Sequence, residues 1–245
     1  MSSELRDILF LDIETVASTD IYSSLGERLK TQWARKAGYF KQREDGMTDE
    51  DLFYERAGIY AEFGKIIVIG VGKLKENENG DLILKTKALF DHDEKKLLQA
   101  FKGLLENMDA GLPDGKAGIK LCAHNGKEFD FPYLSRRMLV HGIALPSILN
   151  LAGKKAWEVP HLDTMELWKF GDYKHYTSLD LLAAIFDIPT SKTVMDGSRV
   201  NEVYYKEKDL NKIAEYCIDD VVAVAQLFLR MKGMAVISPN RIQQA

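Results

Sequence analysis

Cysteine is scarce in this sequence, and long hydrophobic runs are absent. The only two cysteines, Cys122 and Cys217, lie in apolar runs and show no CxxC spacing. A disulfide framework is therefore excluded, and we interpret both as reduced core residues of an intracellular protein. No apolar segment approaches the length of a membrane span, and the N-terminus "MSSELRD" lacks the cationic and apolar regions of a signal peptide. We therefore expect a cytoplasmic protein with no membrane partner.

The sequence also lacks an excess of positive charge and the common cofactor motifs. The net charge is −4, which argues against broad, nonspecific binding to nucleic acid but leaves a local basic groove open. None of the five histidines has the spacing of a zinc motif, and no GxGxxG or GxxxxGK[ST] loop occurs. Zinc, nucleotide cofactors and ATP are therefore not expected.

What is present indicates a globular α/β protein. The sequence is 46% hydrophobic and 29% charged, with no repeat or linker that would mark a domain boundary. We predict a single domain over residues 1–245, with a polar helical insertion at about 18–62. Strands are predicted at "ILFLDIET", "GKIIVIGVGKL", "LILKTKALF" and "GIKLCAHN", the second and third joined by an Asn79-Gly80 hairpin turn. Helices are predicted at "DEKKLLQAFKGLLENM", at "FPYLSRRMLVHG" and over most of the chain after Thr177.

Acidic residues follow two of the predicted strands. Alternate residues of a strand face the same way, so Asp12 and Glu14 point to one side at the end of the first strand. The alternative is a strand that simply emerges into solvent. Asp130 follows the strand "GIKLCAHN" and precedes a helix, where it is either a second acid at the same edge of the sheet or an N-cap.

The last predicted helix, from about Lys208 to Met231, contains two adjacent aspartates. Helical spacing places Asp219 on a solvated stripe with Lys212, Glu215, Gln226 and Arg230. Asp220 instead shares a face with apolar residues and with Tyr216, one turn earlier. A carboxylate on an apolar face needs a partner, which we expect to be a cation. By itself, Tyr216 is equally consistent with a core aromatic whose hydroxyl reaches water.

Together, Asp12, Glu14, Asp130 and Asp220 would repel one another unless they take up protons or bind divalent metals. Mg²⁺ and Mn²⁺ prefer oxygen ligands and retain waters that can become nucleophiles. The four acids therefore indicate a site for two such ions and for two-metal hydrolysis of phosphodiester bonds, with Tyr216 orienting the attacking water.

The stretches "DIE", "NGKEFD" and "YCIDD" resemble the three exonuclease motifs of the DEDD superfamily, in the same order. The Tyr-x-x-x-Asp spacing of Tyr216 and Asp220 is similar to that of the tyrosine (DEDDy) subclass, whereas Glu215 stands where the other subclass has histidine. "MDGSRVNEVYYKEKDLNKIAEYCIDDV" resembles predicted 3′–5′ exonucleases related to the proofreading domains of B-family DNA polymerases. This resemblance implies a ribonuclease H-like α/β fold with a mixed five-stranded sheet, an antiparallel hairpin plus parallel strands, flanked by helices and followed by a helical C-terminal part.

The same resemblance implies that Asp12, Glu14, Asp130 and Asp220 bind the metals, that Tyr216 is catalytic, and that nucleotides are removed from 3′ ends. It also implies that Thr15, Asn125 and Phe129 help to seat the terminal nucleotide, although Phe129 is equally consistent with the core.

The insertion after the first strand combines basic and aromatic residues, a composition suited to single-stranded nucleic acid. The alternative is the solvated face of a helix, because the acidic stretch "EDGMTDEDLFYE" follows. We interpret Arg35 and Lys36 as substrate-binding. The full set comprises Arg28, Lys30, Arg35, Lys36, Lys41 and Arg43 with Trp33, Tyr39 and Phe40, and further candidates for phosphate contacts are Arg136, Arg137, Lys169, Lys174, His175 and Lys192.

The sequence therefore predicts a metal-dependent 3′–5′ exonuclease acting on nucleic acid with a 3′ end, DNA rather than RNA and single-stranded. Two alternatives stay open: an exoribonuclease or small-oligonucleotide hydrolase, and a weakly active nucleic-acid-binding partner of a polymerase or repair complex. The sequence contains no recognisable polymerase segment, so a proofreading role would need a separate partner. Oligomeric state is not indicated.

Overall fold

The computed structural model describes residues 3–41, 46–110, 118–172, 176–189 and 195–244. Its α-helices are α1 (Ser3–Arg6), α2 (Glu27–Lys41), α3 (Asp49–Arg56), α4 (Glu94–Ala110), α5 (Asp130–Val140), α6 (Thr164–Lys169), α7 (Leu179–Ile185), α8 (Val200–Glu202) and α9 (Leu210–Met231). A π-helical turn, Val203–Glu207, follows α8. Within the described residues, none of the helices combines the length and apolar character that crossing a bilayer requires.

One mixed sheet organises the chain. Its strands are β1 (Ile8–Ala17), β2 (Gly64–Glu76), β3 (Leu82–Phe90), β4 (Lys120–Ala123), β5 (Leu162–Asp163) and β6 (Ile242–Gln244). They lie in the order β5-β4-β1-β2-β3-β6, with β1–β2 and β2–β3 antiparallel and the other pairs parallel. The α/β class and the mixed sheet are confirmed.

The sheet has six described strands rather than the predicted five. The extra edge strand is β6, where Ile242 to Gln244 pair with Leu84 to Thr86 of β3. Three residues near the end of the chain carry no alternating pattern that periodicity can detect, so only pairing with β3 defines them as a strand.

The predicted hairpin is confirmed. Strands β2 and β3 pair from Val68–Phe90 to Glu76–Leu82, and the turn between them contains Gly80 with φ +78°. Glycine adopts this left-handed backbone without a steric penalty, which explains the strength of the Asn-Gly signal.

Two layers of helices cover the sheet, and the side-chain alternation of β1 decides what each layer meets. Leu9, Leu11 and Ile13 pack with α4 and α5, whereas Phe10 and Val16 belong to clusters that include α9. Because Asp12 and Glu14 have the parity of Phe10, they are directed to the α9 side of β1. The alternation thus determines which helix the two acids meet.

The segment between β1 and β2 contains α2 and α3, which pack around the buried Trp33. The Trp33 ring lies 5.2 Å from the Phe53 ring and 5.1 Å from the Phe63 ring, and its Nε1 donates to the Asp49 carbonyl. Trp33 is therefore not available to stack on bases, although the sequence grouped it with the basic and aromatic residues suited to single-stranded nucleic acid. The sequence places Trp33 in an insertion that is polar on average. In the structure, this insertion has its own apolar cluster, in which Trp33 is buried. The extent of the domain, residues 1–245, stays a prediction.

Candidate active site

Asp12 and Glu14 sit in β1 beside an irregularity of its pairing with β2. Asp12 is opposite Gly70, Glu14 is opposite Val68, and the register shifts between Glu14 and Thr15. Such a bulge bends a strand and redirects its side chains. Glu14 is buried, and Asp12 is half-buried. The alternative of a strand emerging into solvent is therefore wrong for these two acids.

Asp130 is the first residue of α5 and is almost completely buried. Its Oδ1 accepts a hydrogen bond from the Ile13 backbone N–H at 3.2 Å, which ties the start of α5 to β1. Phe129, not Asp130, occupies the N-cap position, so the N-cap interpretation of Asp130 is wrong. The pKa of Asp130 is raised to about 7, mainly by burial and also by the Asp163 charge, with backbone hydrogen bonds opposing the shift.

The helix α9 brings Tyr216 and Asp220 to the same place. Asp219 is exposed and Asp220 is half-buried, as the helical spacing predicts. Tyr216 is buried, and its hydroxyl is hydrogen-bonded to the Asp220 side chain. Burial, followed by the charges of Asp220, Glu14 and Asp12, raises the pKa of Tyr216, so its phenol stays protonated.

One member of the predicted solvated stripe is buried. Gln226 donates from Nε2 to the Ile237 carbonyl and accepts from the Ile237 N–H, both at 2.7 Å. The prediction that Gln226 is solvated is therefore wrong, because the segment after α9 folds back over this face of the helix.

The four predicted carboxylates influence one another electrostatically. Burial raises the pKa of Asp12 well above its usual value, and Glu14, Asp130 and Asp220 raise it further. Burial also raises the pKa of Glu14, with added contributions from Asp220 and Asp130. Side chains from β1, α5 and α9 therefore form one crowded acidic group.

This group fits divalent cations. Its donors are carboxylate oxygens, which Mg²⁺ and Mn²⁺ prefer, and their mutual repulsion is the cost that a bound cation offsets. Ligand atoms of Asp12, Glu14 and Cys217 lie within 4.8 Å of one another. Asp12 and Glu14 could hold such ions together with Asp130 and Asp220, whose charges act on both of them.

Cys217 is part of this site, although the sequence indicated only a core residue. Its Sγ lies 3.4 Å from the Asp12 backbone carbonyl and 3.5 Å from Asp12 Oδ2, so the thiol can donate to either oxygen. Burial raises the pKa of Cys217 well above its usual value, and the neighbouring acids add to the effect. The thiol therefore remains a neutral donor. Its position three residues before Asp220, on the same face of the helix, is the signal that helical spacing offered.

Asp163, which sequence reasoning missed, shapes the loop before α5. Its carboxylate accepts from the backbone N–H groups of Asn125 and Lys127, each at 3.0 Å, and also caps α6 through Met165 N at 2.9 Å. Asn125 has φ +61°, and its Oδ1 is buried without a hydrogen-bond partner among the residues that the structure describes. The sequence identifies Asp163 as an N-cap because it directly precedes the helical stretch "TMELW". Its hydrogen bonds to Asn125 and Lys127 are not evident from the sequence, because those residues are nearly 40 positions away.

Two further predicted contacts lie on the α5 side of β1. Thr15 is half-buried and hydrogen-bonds the Tyr133 hydroxyl, which also donates to the Gly58 carbonyl at 2.8 Å. The half-buried Phe129 ring lies 5.3 Å from the Tyr133 ring. Thr15 belongs to β1, and Phe129 directly precedes Asp130. That either residue contacts a nucleotide stays a prediction.

The basic candidates have different environments. Arg35 is exposed, and Lys36 is half-buried with its Nζ 3.6 Å from the centre of the Tyr60 ring. Arg137 is buried in an ion pair with Glu94, so its prediction as a phosphate contact is wrong. Helical spacing alone did not separate Arg137 from the exposed Arg136. The side chains of Lys41, Arg43, Lys174, His175 and Lys192 lie outside the described residues.

A solved structure shares the fold of this chain. The family B DNA polymerase from the hyperthermophilic archaeon Pyrobaculum calidifontis matches with a TM-score of 0.51 and 14% sequence identity. The match covers 91% of this chain and 24% of the polymerase, so this chain spans about a quarter of the protein it resembles. The similarity confirms the predicted ribonuclease H-like fold.

A family model matches residues 59–243, which include β2 to β5, most of β6, and the helices α5 and α9. The model is described as a predicted 3′–5′ exonuclease related to the exonuclease domain of PolB. Because the match spans most of the sequence, including Asp130, Tyr216 and Asp220, this chain belongs to that family of predicted 3′–5′ exonucleases.

Proposed function

We propose that this protein is a metal-dependent 3′–5′ exonuclease that hydrolyses phosphodiester bonds of nucleic acid, with single-stranded DNA as the preferred substrate. The observation that carries the proposal is the convergence of Asp12, Glu14, Asp130 and Asp220 on one buried acidic site beside Tyr216. Family membership supports the reaction and its polarity.

The carboxylates have the role of ligands in this proposal. Asp12 and Glu14 from β1, Asp130 from α5 and Asp220 from α9 would hold two Mg²⁺ or Mn²⁺ ions. When bound, these ions supply activation of a water nucleophile and stabilisation of the leaving oxygen. The Ile13 N–H fixes one oxygen of Asp130, which limits the directions from which that side chain can coordinate.

Tyr216 positions groups rather than binding metal. Its raised pKa keeps the hydroxyl protonated, and that hydroxyl donates to Asp220. The phenol is therefore a fixed hydrogen-bonding group at the edge of the acids, where it can orient the attacking water. A neutral phenol adds no negative charge to a site that already contains four acids.

Substrate contacts complete the proposal. Thr15 and Asn125 flank the acids on β1 and on the loop before α5, and Phe129 directly precedes Asp130. Asn125 Oδ1 is buried and has no hydrogen-bond partner within the described residues, and in this proposal a bound nucleotide would supply one. Arg35 and Lys36 on α2 would bind backbone phosphates farther from the reacting end.

The test is digestion of matched DNA and RNA oligonucleotides, labelled at the 5′ end, with Mn²⁺, Mg²⁺ or EDTA. We expect a ladder of shortened DNA products that depends on metal. Asp220→Asn should slow cleavage by more than about a hundredfold, because loss of groups that merely orient ligands already costs 10–100-fold. Asp219→Asn is the matched control, since Asp219 is the adjacent but exposed aspartate on α9.

Equal activity of the Asp220→Asn and Asp219→Asn proteins would contradict the assignment of the metal site. A ladder with RNA alone would favour the exoribonuclease or small-oligonucleotide hydrolase. Binding of oligonucleotide without cleavage by the wild type would favour the weakly active partner of a polymerase or repair complex.

A further inference from the structure

Two glycines on β2 allow α9 to lie unusually close to the sheet. A Cβ atom at Gly70 would lie 2.8 Å from Cys217 Sγ, 2.9 Å from Val221 Cγ2 and 3.2 Å from the Cys217 carbonyl oxygen. A Cβ atom at Gly72 would lie 2.8 Å from Val221 Cγ1. Neither glycine has a positive φ, so what they provide is space rather than an unusual backbone conformation.

Gly70 lies at the acidic site, whereas Gly72 lies beyond it. Gly70 is the register partner of Asp12, and Gly72 is the partner of Phe10 in the apolar core. The thiol that occupies the space above Gly70 is the same thiol that contacts Asp12 through its backbone carbonyl and Oδ2. Gly70, Cys217 and Asp12 therefore form one contact chain from β2 through α9 to β1.

This contact chain also involves the α9 residues of the site. Cys217 stands directly after Tyr216 and three residues before Asp220, in a 22-residue helix that is largely buried. A helical segment moves nearly as a rigid unit, because its backbone hydrogen bonds fix the positions of neighbouring residues. Displacement of Cys217 from the sheet would therefore displace Tyr216 and Asp220 relative to Asp12 and Glu14.

We propose that Gly70 and Cys217 are positioning residues that set the distance between the β1 carboxylates and those of α9. The absence of a side chain at Gly70 lets the Cys217 thiol pack against Asp12, and the thiol fixes both the Asp12 carboxylate and the height of α9 above the sheet. This inference rests on the proposed function, because it assigns the two residues to the metal-binding site of that reaction.

The experiment compares Gly70→Ala with Gly72→Ala, a matched control that introduces a similar close contact two residue pairs farther along the sheet. For each protein the half-saturating Mn²⁺ concentration is measured twice, from the metal-induced rise in melting temperature and from the rate of oligonucleotide cleavage. We expect Gly70→Ala to need about tenfold more Mn²⁺ than Gly72→Ala, the size of effect typical of groups that orient metal ligands.

Cys217→Ala provides a second, independent variant. It removes the S–H donor to Asp12 and should also raise the Mn²⁺ requirement. In the double variant Gly70→Ala/Cys217→Ala the 2.8 Å contact with sulfur is gone while the Val221 contact remains, so the fold-increase in Mn²⁺ requirement should be smaller than the product of the two single increases. If Gly70→Ala does not fold, Cys217→Ala decides, and a wild-type Mn²⁺ requirement in that variant overturns the proposal.

Failure of this inference differs from failure of the proposed function. If the wild type cleaves and the two glycine variants have the same Mn²⁺ requirement, the positioning role is wrong and the nuclease stands. If the wild type binds Mn²⁺ without cleaving, and only Gly70→Ala weakens that binding, the proposed function fails while the positioning of the metal site stands. If the wild type binds no Mn²⁺, both are wrong.

Discussion

The two sides of the sheet each contain acidic side chains that are at least half-buried, but the neighbours of these acids differ. Glu94 lies on one side, and Asp12 and Glu14 lie on the other. Glu94 accepts hydrogen bonds from Arg137 Nε at 2.9 Å, from His141 Nε2 at 2.6 Å and from the Ile66 N–H at 2.7 Å, and forms an ion pair with Arg137 Nη2. Asp12 and Glu14 instead have other acids nearby, which raise their pKa values in addition to the effect of burial.

Glu94 is a structural carboxylate, whereas Asp12 and Glu14 are proposed metal ligands. The Glu94 network joins α4, α5 and β2, and Arg137 Nη1 also donates to the Ala61 carbonyl at 2.9 Å. Its charges are matched by groups of the protein itself. On the α9 side, neighbouring acids raise the pKa values of Asp12 and Glu14, and a bound cation would offset this repulsion.

The largest expected effect on stability comes from removing the buried ion pair between Arg137 and Glu94. Arg137→Met should lower the free energy of unfolding by about 3–5 kcal/mol, because Glu94 would stay buried after losing its main cationic partner. Urea denaturation measures this change. Arg136→Met, a change at the adjacent exposed residue, should stay within about 0.5 kcal/mol of the wild type. If the two variants lost similar amounts of unfolding free energy, the buried ion pair between Arg137 and Glu94 would not be the source of stability on this side of the sheet.

A buried histidine on the α5 side gives the next effect, which depends on pH. His161 Nδ1 accepts from the Leu121 N–H at 3.3 Å and Nε2 donates to the Ile148 carbonyl at 2.8 Å, so the neutral ring is the form that fits. Burial lowers the pKa of His161 to about 4 from the usual 6.5. The unfolded chain therefore takes up a proton first as pH falls, and stability is lost between pH 6.5 and about 4.

This loss amounts to at most about 3 kcal/mol for His161 alone. Asp130 acts in the opposite direction, since its raised pKa means that the folded state binds a proton more tightly over much of the same window. Urea denaturation in EDTA at pH 7.5 and pH 5 should therefore be compared between the wild type and His161→Gln. The acid-induced loss should be smaller in the variant, and an unchanged loss would show that His161 is not its source.

The smallest of the three effects concerns the mutual repulsion of the acids on the α9 side of the sheet. Asp12→Asn removes one of the repelling carboxylates, so without metal the variant should melt at or above the temperature of the wild type. The wild type should gain about 2.7 kcal/mol from Mn²⁺ at a hundred times its Kd, and the variant should gain little or nothing. Thermal melts with Mn²⁺ and with EDTA measure both changes. If the variant were less stable than the wild type in EDTA and were still stabilised by Mn²⁺, Asp12 would be a structural carboxylate like Glu94 rather than a metal ligand.

Periodicity was sufficient for the parts of the site that depend on a single element. Alternation in β1 placed Asp12 and Glu14 on one side, and the helical repeat of α9 separated the half-buried Asp220 from the exposed Asp219. The Asn-Gly turn defined the hairpin because its backbone requirement is local.

Prediction failed for several residues whose contacts are distant in the chain. Arg137 meets Glu94, Gln226 meets Ile237, and Trp33 packs with Phe53 and Phe63, so their burial depends on contacts that no local pattern contains. Asp163 was missed for the same reason, because its second set of hydrogen bonds goes to a loop that precedes it by nearly 40 residues.

The sequence by itself determined which residues are acidic and to which side of each strand or helix they point, because these properties follow from the local backbone geometry. Only the tertiary structure decided how close those sides come together. The approach of α9 to β1 depends on Gly70 and on the thiol of Cys217, nearly 150 residues later in the chain. Electrostatic repulsion and metal coordination both depend on such distances, so the chemistry of the site follows from packing.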